Sequence, residues 1–223
     1  MSLKRLFKMV IPPIVLDISR PIRHYLFPPQ LVVSKEQSAD YYDNAFANIQ
    51  AYKVHYTQSH EYLGWVVLGD RVIRGESTSV LDIGCGPGQI GAMLKDRGLK
   101  RYVGLDFSRT AISMAELACP DPEYRFVVGD ALTTDLFSTV EYDTVTSSFF
   151  LEHITADLEI LARIRPGIRT YALVPSFDDP SHVRCFANCQ EVIDRYGELF
   201  DDFRVDAIPV PGERYYLFEG IKR

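Results

Sequence analysis

Residues 80–91, with the sequence VLDIGCGPGQIG, constrain the fold of this chain more than any other stretch. An apolar run over residues 79–83 leads into Gly84, Gly86 and Gly88, and apolar side chains then recur at helical spacing. This pattern predicts a strand, a tight turn and a helix. Because glycines at the carboxyl end of a strand let a ligand approach the backbone, we expect a ligand-binding crevice here.

The identity of that ligand depends on Asp82. Gly86, Gly88 and Gly91 fit the GxGxxG dinucleotide pattern, which is a weak signal by itself. A pyrophosphate needs amide donors and a helix dipole, and the Asp82 carboxylate would repel it. The acid suits a ligand that carries positive charge, so we disfavour a nicotinamide-dependent dehydrogenase.

The segment resembles motif I of the class I S-adenosylmethionine (SAM) methyltransferases, a hydrophobic run followed by D-x-G-x-G-x-G. Asp82, Gly84, Gly86 and Gly88 match it position by position. SAM carries an ammonium and a sulfonium group, which agrees with the acid. The resemblance continues in order to the C-terminus, from about residue 78.

The resemblance implies an α/β fold. We expect a seven-stranded, mostly parallel, doubly wound sheet with an N-terminal helical extension. The chain has 223 residues, which suits one domain with an elaboration. We therefore divide it into an N-terminal arm and helical lid, residues 1–74, and a SAM-binding methyltransferase domain, residues 75–223.

The resemblance also implies which residues hold the cofactor. Asp106 follows the second predicted strand, where a carboxylate can accept hydrogen bonds from both ribose hydroxyls. Gly129, Asp130 and Ala131 follow the third, in the position of the adenine-edge motif, although Asp130 alone is equally typical of a turn. We expect SAM, and its product S-adenosylhomocysteine, to contact Asp82, Gly84, Cys85, Gly86, Gly88, Asp106, Phe107, Asp130, Ala131 and Ser147.

Residues 148–154, SFFLEHI, resemble a segment of ubiquinone-pathway O-methyltransferases. There, a Glu-His pair and an earlier acid hold a metal ion. Glu152 and His153 match the pair, but Phe149 replaces the earlier acid. Because this ligand set is incomplete, we predict no metal. His153 is then a general base, a cofactor-positioning residue or a structural histidine at a helix start.

Transfer of a methyl group to a hydroxyl requires a base, since a neutral hydroxyl is a poor nucleophile. The candidates are His55, His153, Asp178 and His182. Asp178 and His182 follow the fifth predicted strand, at the expected functional rim. We expect residues 39–74 to form helices, with a break near residues 57–59. His55 lies in the tyrosine- and histidine-rich first half of this stretch, which is either a half-buried helix face or a lid over the cofactor.

The acceptor is less constrained. Residues 147–150 read SSFF, so the chain lacks the Asn-Pro-Pro-Tyr type of motif found in enzymes that methylate exocyclic amines or glutamine amides. Residues 3–18, 41–59 and 174–186 are loosely similar to small methyltransferases of surface-polysaccharide biosynthesis. We therefore favour O-methylation of a sugar hydroxyl, on a surface glycan or a nucleotide sugar. The alternatives are an aromatic or natural-product hydroxyl and a non-catalytic SAM-binding protein.

Composition limits the partners. The formal net charge of -6 argues against a broad nucleic-acid surface. No apolar run is long enough to span a bilayer, and the four cysteines form no metal pattern, so we expect a cytoplasmic protein with reduced thiols. The basic, apolar residues 1–34 pack on their own domain, on a second subunit as a homodimer, or, through residues 1–30, peripherally on an anionic membrane.

Overall fold

The computed structural model describes residues 35–223. The sequence-based expectation of an N-terminal arm that contacts a membrane or a second subunit falls on residues 1–34, outside the described residues. Within residues 35–223, no helix is both long and apolar enough to cross a membrane.

The centre of the fold is a seven-stranded sheet with the order β3-β2-β1-β4-β5-β7-β6. The first five strands in this order run parallel, and β7 is antiparallel to both of its neighbours. The strands are β1 (Ser79–Ile83), β2 (Arg101–Asp106), β3 (Tyr124–Val128), β4 (Thr144–Ser148), β5 (Arg169–Pro175), β6 (Phe200–Val210) and β7 (Glu213–Lys222). This confirms the predicted fold class. The strand order reverses between β1 and β4, which is where open α/β sheets bind ligands.

Helices cover both faces of the sheet. They are α1 (Ala39–Asn48), α2 (Tyr62–Arg74), α3 (Gln89–Asp96), α4 (Arg109–Ala118), α5 (Leu136–Thr139), α6 (Asp157–Ala162) and α7 (Cys189–Tyr196). Short 3-10 helices occur at Gln50–Lys53, Tyr56–Gln58, Leu151–His153 and Gly197–Leu199. Helices α2, α3 and α4 pack into one hydrophobic cluster and α5, α6 and α7 into the other.

Strand β1 shows why the sheet has two cores. Every one of its five residues is buried. Val80 belongs to the cluster with α2, α3 and α4, whereas Leu81 belongs to the other cluster. Successive side chains of a strand point to opposite faces, so a continuous apolar run is what a central parallel strand requires.

The Asp82 carboxylate connects the three central strands. The Tyr102 hydroxyl on β2 donates to its Oδ2 atom, and the Thr146 hydroxyl on β4 donates to its Oδ1 atom at 2.8 Å. Asp82 is only 1% exposed, and burial raises its pKa to about 6 although both hydrogen bonds lower it. The carboxylate is thus a cross-strand link within the sheet.

The N-terminal helices differ from the sequence-based expectation in one respect. We expected a break near residues 57–59, whereas α1 ends at Asn48 and α2 begins at Tyr62. Ile49 and Val54 both adopt extended backbone angles, which ends α1 and separates the two 3-10 helices. The wider break produces the irregular segment that borders the cavity described below.

The Asp157 carboxylate, on the other face, holds the loop that follows β5. Asp157 is fully buried; it accepts hydrogen bonds from Arg195 Nε and the Tyr196 hydroxyl, both at 2.8 Å. Arg184 Nη1 lies 3.1 Å from its Oδ2 atom. Arg184 also donates to the Leu151, Ile154 and Thr155 carbonyls. This network fixes the segment after β5 against the segment after β4.

We expect Asp157→Ala to lower the free energy of unfolding by about 3 kcal/mol, because breaking a buried pair typically costs about 3–5 kcal/mol. The lower value applies since the Arg195 side chain is 31% exposed and remains partly hydrated. Urea unfolding measures the change. Asp194→Ala is the control, since Asp194 is exposed and accepts only from the neighbouring Gln190 amide. Equal stability of the two variants would show that the network contributes nothing.

Candidate functional site

A cavity of about 320 Å³ lies at the carboxyl edge of β1, β2, β4 and β5. This volume is within the range of about 300–1,000 Å³ typical of small-molecule sites. Its floor is the glycine turn after β1, and its side is the segment of residues 39–58, which we call the covering segment. The cavity therefore occupies the position where the strand order reverses.

Asp106, at the end of β2, organises the floor. Its carboxylate accepts hydrogen bonds from the backbone amides of Gly86 and Ser108, each at 2.9 Å. Burial raises the pKa of Asp106 to about 6, against the lowering effect of these amides. Gly86 has a φ of +52°, which disfavours a side chain, and a Cβ added there would have only the Phe46 ring within 4 Å. The backbone of the glycine turn is thus accessible from the cavity, next to the Asp106 carboxylate, which can accept further hydrogen bonds.

Asp43 attaches the covering segment to this floor. Its Oδ1 atom, on α1, accepts hydrogen bonds from the Ser108 hydroxyl at 2.6 Å and from the Thr110 amide at 2.9 Å. The bond from Ser108 is the largest of the effects that lower the Asp43 pKa. Ser108 is the N-cap of α4 and directly follows the Asp106 loop. Helix α1 is therefore attached within a few residues of the carboxylate at the cavity floor.

The rest of the covering segment attaches to α3. The Gln89 side-chain amide donates to the Val54 carbonyl at 2.8 Å, and the Tyr56 hydroxyl donates to Asp96 at 2.6 Å. Together with the Asp43 bonds, these contacts span the irregular backbone between α1 and α2. Polar side chains thus hold in place a segment that contributes only Phe46 to the buried apolar residues.

Aromatic side chains form much of the cavity wall. They are Tyr41, Tyr42, Phe46, Tyr52, Trp65, Phe107, Phe149, Phe150, Phe177 and Tyr215. Trp65 Nε1 donates to the Ser148 hydroxyl at 2.9 Å, which fixes the indole against the end of β4. Phe149 follows with a φ of +51°, a strained value for a non-glycine residue that is often found near functional sites. The wall offers flat apolar surfaces to a ligand.

A cluster of Glu152, His153 and His182 forms one end of the cavity. Glu152 is fully buried, and neither of its oxygens has a hydrogen-bond partner among the described residues. Burial raises its pKa to about 8. Burial also lowers the pKa of His153 to about 4 and lowers that of His182, so both imidazoles are neutral at neutral pH.

The charge of the cavity is one-sided. Its lining includes the carboxyl groups of Glu61, Asp106, Glu152 and Asp179, and within residues 35–223 it includes no lysine or arginine. Such a lining favours cationic or neutral ligands over anions.

Part of the chain that lines this cavity is similar to a known protein family. Residues 80–169 match the family described as "Methyltransferase domain". This part of the chain, residues 80–169, is thus similar to a methyltransferase domain.

Three proteins with a similar sequence or structure are methyltransferases. A trans-aconitate 2-methyltransferase from Azoarcus sp. (strain BH72) is 29% identical over 114 residues, or 50% of this chain and 45% of that protein. The match therefore spans less than half of the relative's length.

Two solved structures are similar to this chain. A 1,6-didemethyltoxoflavin-N1-methyltransferase from Burkholderia thailandensis, solved with S-adenosylhomocysteine, has a TM-score of 0.66 and 20% identity; the alignment covers 82% of this chain and 86% of that protein. The N-methyltransferase NodS from Bradyrhizobium japonicum WM9, also solved with S-adenosylhomocysteine, has a TM-score of 0.64, 15% identity and coverage of 82% and 97%. At these identities the two structures show a shared fold.

The cavity brings half of the sequence-predicted site residues together. Seven line the cavity: Gly84, Cys85, Gly86, Asp106, Phe107, His153 and His182. The other seven lie outside its lining: His55, Asp82, Gly88, Asp130, Ala131, Ser147 and Asp178.

Three of the outlying residues have structural contacts inside the fold. Asp82 uses both carboxylate oxygens to link the central strands, as described above. Gly88 has a φ of +78° and packs so closely on α4 that an added Cβ would lie 2.7 Å from the Ala115 Cβ. The Ser147 hydroxyl donates to the Ile83 carbonyl at 3.0 Å. Their side chains or Cβ positions are occupied by the sheet and by helix packing.

Three others are exposed and lie outside the cavity lining. Asp130 is exposed and accepts from the Leu132 amide at 2.8 Å, which is the contact of a turn residue. His55 is exposed, and its Nδ1 atom lies 2.9 Å from the Thr57 hydroxyl at the start of a 3-10 helix. Asp178 and Asp179 are both exposed, but only Asp179 lines the cavity.

Sequence analysis missed several cavity residues. Glu61, Gln89 and Ser148 line the site, yet none was predicted to be a site residue. Glu61 precedes α2, Gln89 begins α3 and Ser148 ends β4, and only the folded chain brings them together. A local signal was available for two of them, since Gln89 lies in residues 80–91 and Ser148 in residues 148–154.

We expect Asp43→Ala to speed amide hydrogen exchange across α1 and at Thr110 by about 10- to 100-fold. The reason is that hydrogen bonds to a charged group contribute about 1.5–3 kcal/mol. Mass spectrometry or NMR of the exchanging protein gives the rates. Asp40→Ala is the matched control, because Asp40 lies on the same helix and is exposed. Unchanged exchange in the Asp43 variant would contradict the proposed attachment.

Proposed function

We propose that this protein is a SAM-dependent methyltransferase that methylates a hydroxyl group of a small, uncharged acceptor. The main support is a single cavity at the point where the strand order reverses. Asp106 and the glycine turn line one end of this cavity, and aromatic and acidic side chains line the rest. The first part matches the needs of SAM, and the second leaves room for an acceptor.

The residues of the floor fit the cofactor. Each Asp106 oxygen accepts one backbone amide, so the carboxylate retains lone pairs for the two ribose hydroxyls. Gly84 and Gly86 present backbone to the cavity, and the carboxyl groups suit the positive charges of SAM. When bound, SAM supplies an electrophilic methyl group. The assignment of Asp130 and Ala131 to the adenine edge stays a prediction.

The other end of the cavity would serve the acceptor. A hydroxyl must lose its proton as it is methylated. Among the four sequence-based candidates, His153 and His182 line this end, whereas His55 and Asp178 do not. Both imidazoles are neutral, so each has a lone pair that can accept a proton. The aromatic wall would hold the acceptor in line with the methyl group, which can supply much of the rate enhancement.

The lining distinguishes among acceptors. A sugar hydroxyl remains our first candidate, since apolar sugar faces pack on aromatic rings. The diphosphate of a nucleotide sugar would meet carboxyl groups and no lysine or arginine from residues 35–223, so we favour an uncharged glycan. An aromatic or natural-product hydroxyl is the second candidate, favoured by the number of rings in the wall.

The direct test is transfer of labelled methyl from SAM to small-molecule and glycan fractions of the source cell. Label in a sugar or a lipid-linked sugar supports the first candidate, and label in an aromatic metabolite supports the second. If nothing is labelled while S-adenosylhomocysteine still binds tightly, the protein is a non-catalytic SAM-binding protein and the proposal is wrong. The Asp106→Asn variant provides the background for the assay.

We expect Asp106→Asn to weaken S-adenosylhomocysteine binding by about 10- to 100-fold, since hydrogen bonds to the charged carboxylate are lost. The Asp106 pKa is about 6. In the parent protein, affinity should thus be constant above about pH 7 and should fall as pH drops through about 6, where the carboxylate gains a proton.

Calorimetric titration across this pH range measures both effects. The profile of the Asp106→Asn variant should be flat, which separates Asp106 from other groups that titrate nearby. Asp135→Asn, an exposed acid before α5, is the control for the loss of one negative charge. A parent profile without a step near pH 6, or an Asp106→Asn variant with parental affinity, would refute the ribose assignment.

A further inference from the structure

The residues Glu152, His153 and His182 form a cluster that the proposed methyl transfer does not fully use. Each offers one ligand atom, and these atoms all lie within 4.8 Å of one another. Glu152 and His153 come from the segment after β4, and His182 comes from the segment after β5. The Arg184 network described above holds these two segments together, so the cluster is a fixed part of the fold.

Both imidazoles are already oriented as ligands. Nδ1 of His153 lies 3.0 Å from the Ser181 carbonyl, and Nδ1 of His182 lies 3.1 Å from the Phe177 carbonyl. A carbonyl oxygen can only accept, so each Nδ1 carries the proton and each Nε2 carries a free lone pair. A histidine that donates one ring N–H to a backbone carbonyl is the usual arrangement around a protein-bound metal. The His153 and His182 rings meet edge to face, with centroids 4.7 Å apart.

Glu152 provides an independent reason for a cation. Its side chain is fully buried and lines the cavity, but neither carboxyl oxygen has a hydrogen-bond partner within residues 35–223. The only histidine, lysine or arginine nitrogen within 4.0 Å of this carboxyl group among residues 35–223 is His153 Nε2, 4.0 Å from Oε1. Buried carboxyl groups are normally paired, hydrogen-bonded or bound to a metal.

We propose that Glu152, His153 and His182 bind one divalent transition-metal ion, with its remaining coordination positions facing the cavity. A ligand set of two imidazoles and one carboxyl group suits Zn²⁺, Fe²⁺ and related ions, whereas Mg²⁺ and Ca²⁺ prefer oxygen ligands. A site with three protein ligands leaves positions open for a water or a substrate oxygen.

The ion would lie at the end of the cavity that the proposed function assigns to the acceptor, so its role in catalysis rests on that proposed function. An acceptor hydroxyl bound to the ion would have a lowered pKa and could release its proton to solvent water. Its oxygen would then form a bond to the methyl carbon of SAM as the bond from that carbon to sulfur breaks, with S-adenosylhomocysteine as the leaving group. His153 and His182 would then act as ligands and not as bases. This proposal departs from the sequence-based prediction of no metal, which considered only Phe149 at the earlier acid position. The third ligand comes from a distant segment.

The test is direct binding of Zn²⁺ and Co²⁺ to the chelator-treated full-length protein. Cys185 and Cys189 are replaced by serine throughout, because exposed or half-buried thiols also bind Zn²⁺. We expect one ion per chain and a Co²⁺ absorption spectrum typical of nitrogen and oxygen ligands. No stoichiometric binding, or a Co²⁺ spectrum insensitive to the ligand variants, would overturn the proposal.

Glu152→Gln and His182→Ala are the decisive variants. Each should weaken Zn²⁺ binding by more than about 100-fold, since loss of even an outer partner of a metal ligand costs about 10- to 100-fold. His60→Ala is the matched control: His60 also lines the cavity, but its side chain is 66% exposed and it is not in the cluster. Retained S-adenosylhomocysteine binding verifies that each variant is folded. Parental Zn²⁺ affinity in both cluster variants would refute the site.

The two proposals fail separately. Stoichiometric Zn²⁺ binding that depends on Glu152, with no methyl transfer to any fraction, would support the metal site and remove the proposed function. Methyl transfer by a protein that binds no ion, and that chelators do not inhibit, would keep the function and remove the metal site.

Discussion

The hydrogen bonds to the Asp82 carboxylate are the interaction on which the rest of the structure depends. Tyr102 and Thr146 donate to it from the two strands beside β1, so it fixes the relative register of the central sheet. The glycine turn, Asp106 and Ser148 all lie at the carboxyl ends of these three strands and line the cavity. A shift of one residue would invert the side chains and separate the ends of β1, β2 and β4. An acid that sequence alone suggests as a ligand contact is thus a structural centre.

The parts of the fold that the sequence predicts well are those with local causes. The apolar run of β1, the glycine turn and Ser108 before α4 each specify a conformation within a few residues. The order of strands and helices follows from repetition of that unit. The position of Asp106 beside the glycine turn was predictable for the same reason, since the end of β2 adjoins the turn after β1 in a parallel sheet.

The cavity's far end was not predictable, because its contacts are made between segments that are distant in sequence. Nothing near His182 indicates that it meets His153, and nothing near Asp43 indicates that it binds Ser108. The polarity of a side chain also does not show whether that side chain lines the cavity. Asp178 and Asp179 are neighbours and both are exposed, yet only Asp179 lines the cavity. His55 lies in the covering segment but caps an exposed 3-10 helix.

The bonds around Asp106 have a consequence for how such proteins diversify. Its partners are the Gly86 and Ser108 amides, and none comes from the covering segment. Asp43 of α1 contacts the start of α4 through the Ser108 hydroxyl and the Thr110 amide, while Ser108 caps this helix by accepting from the Ala111 amide. The hydrogen bonds of the Asp106 carboxylate are thus made entirely within the floor. Insertions or replacements in residues 39–58 can therefore reshape the side of the cavity without removing a hydrogen bond to Asp106.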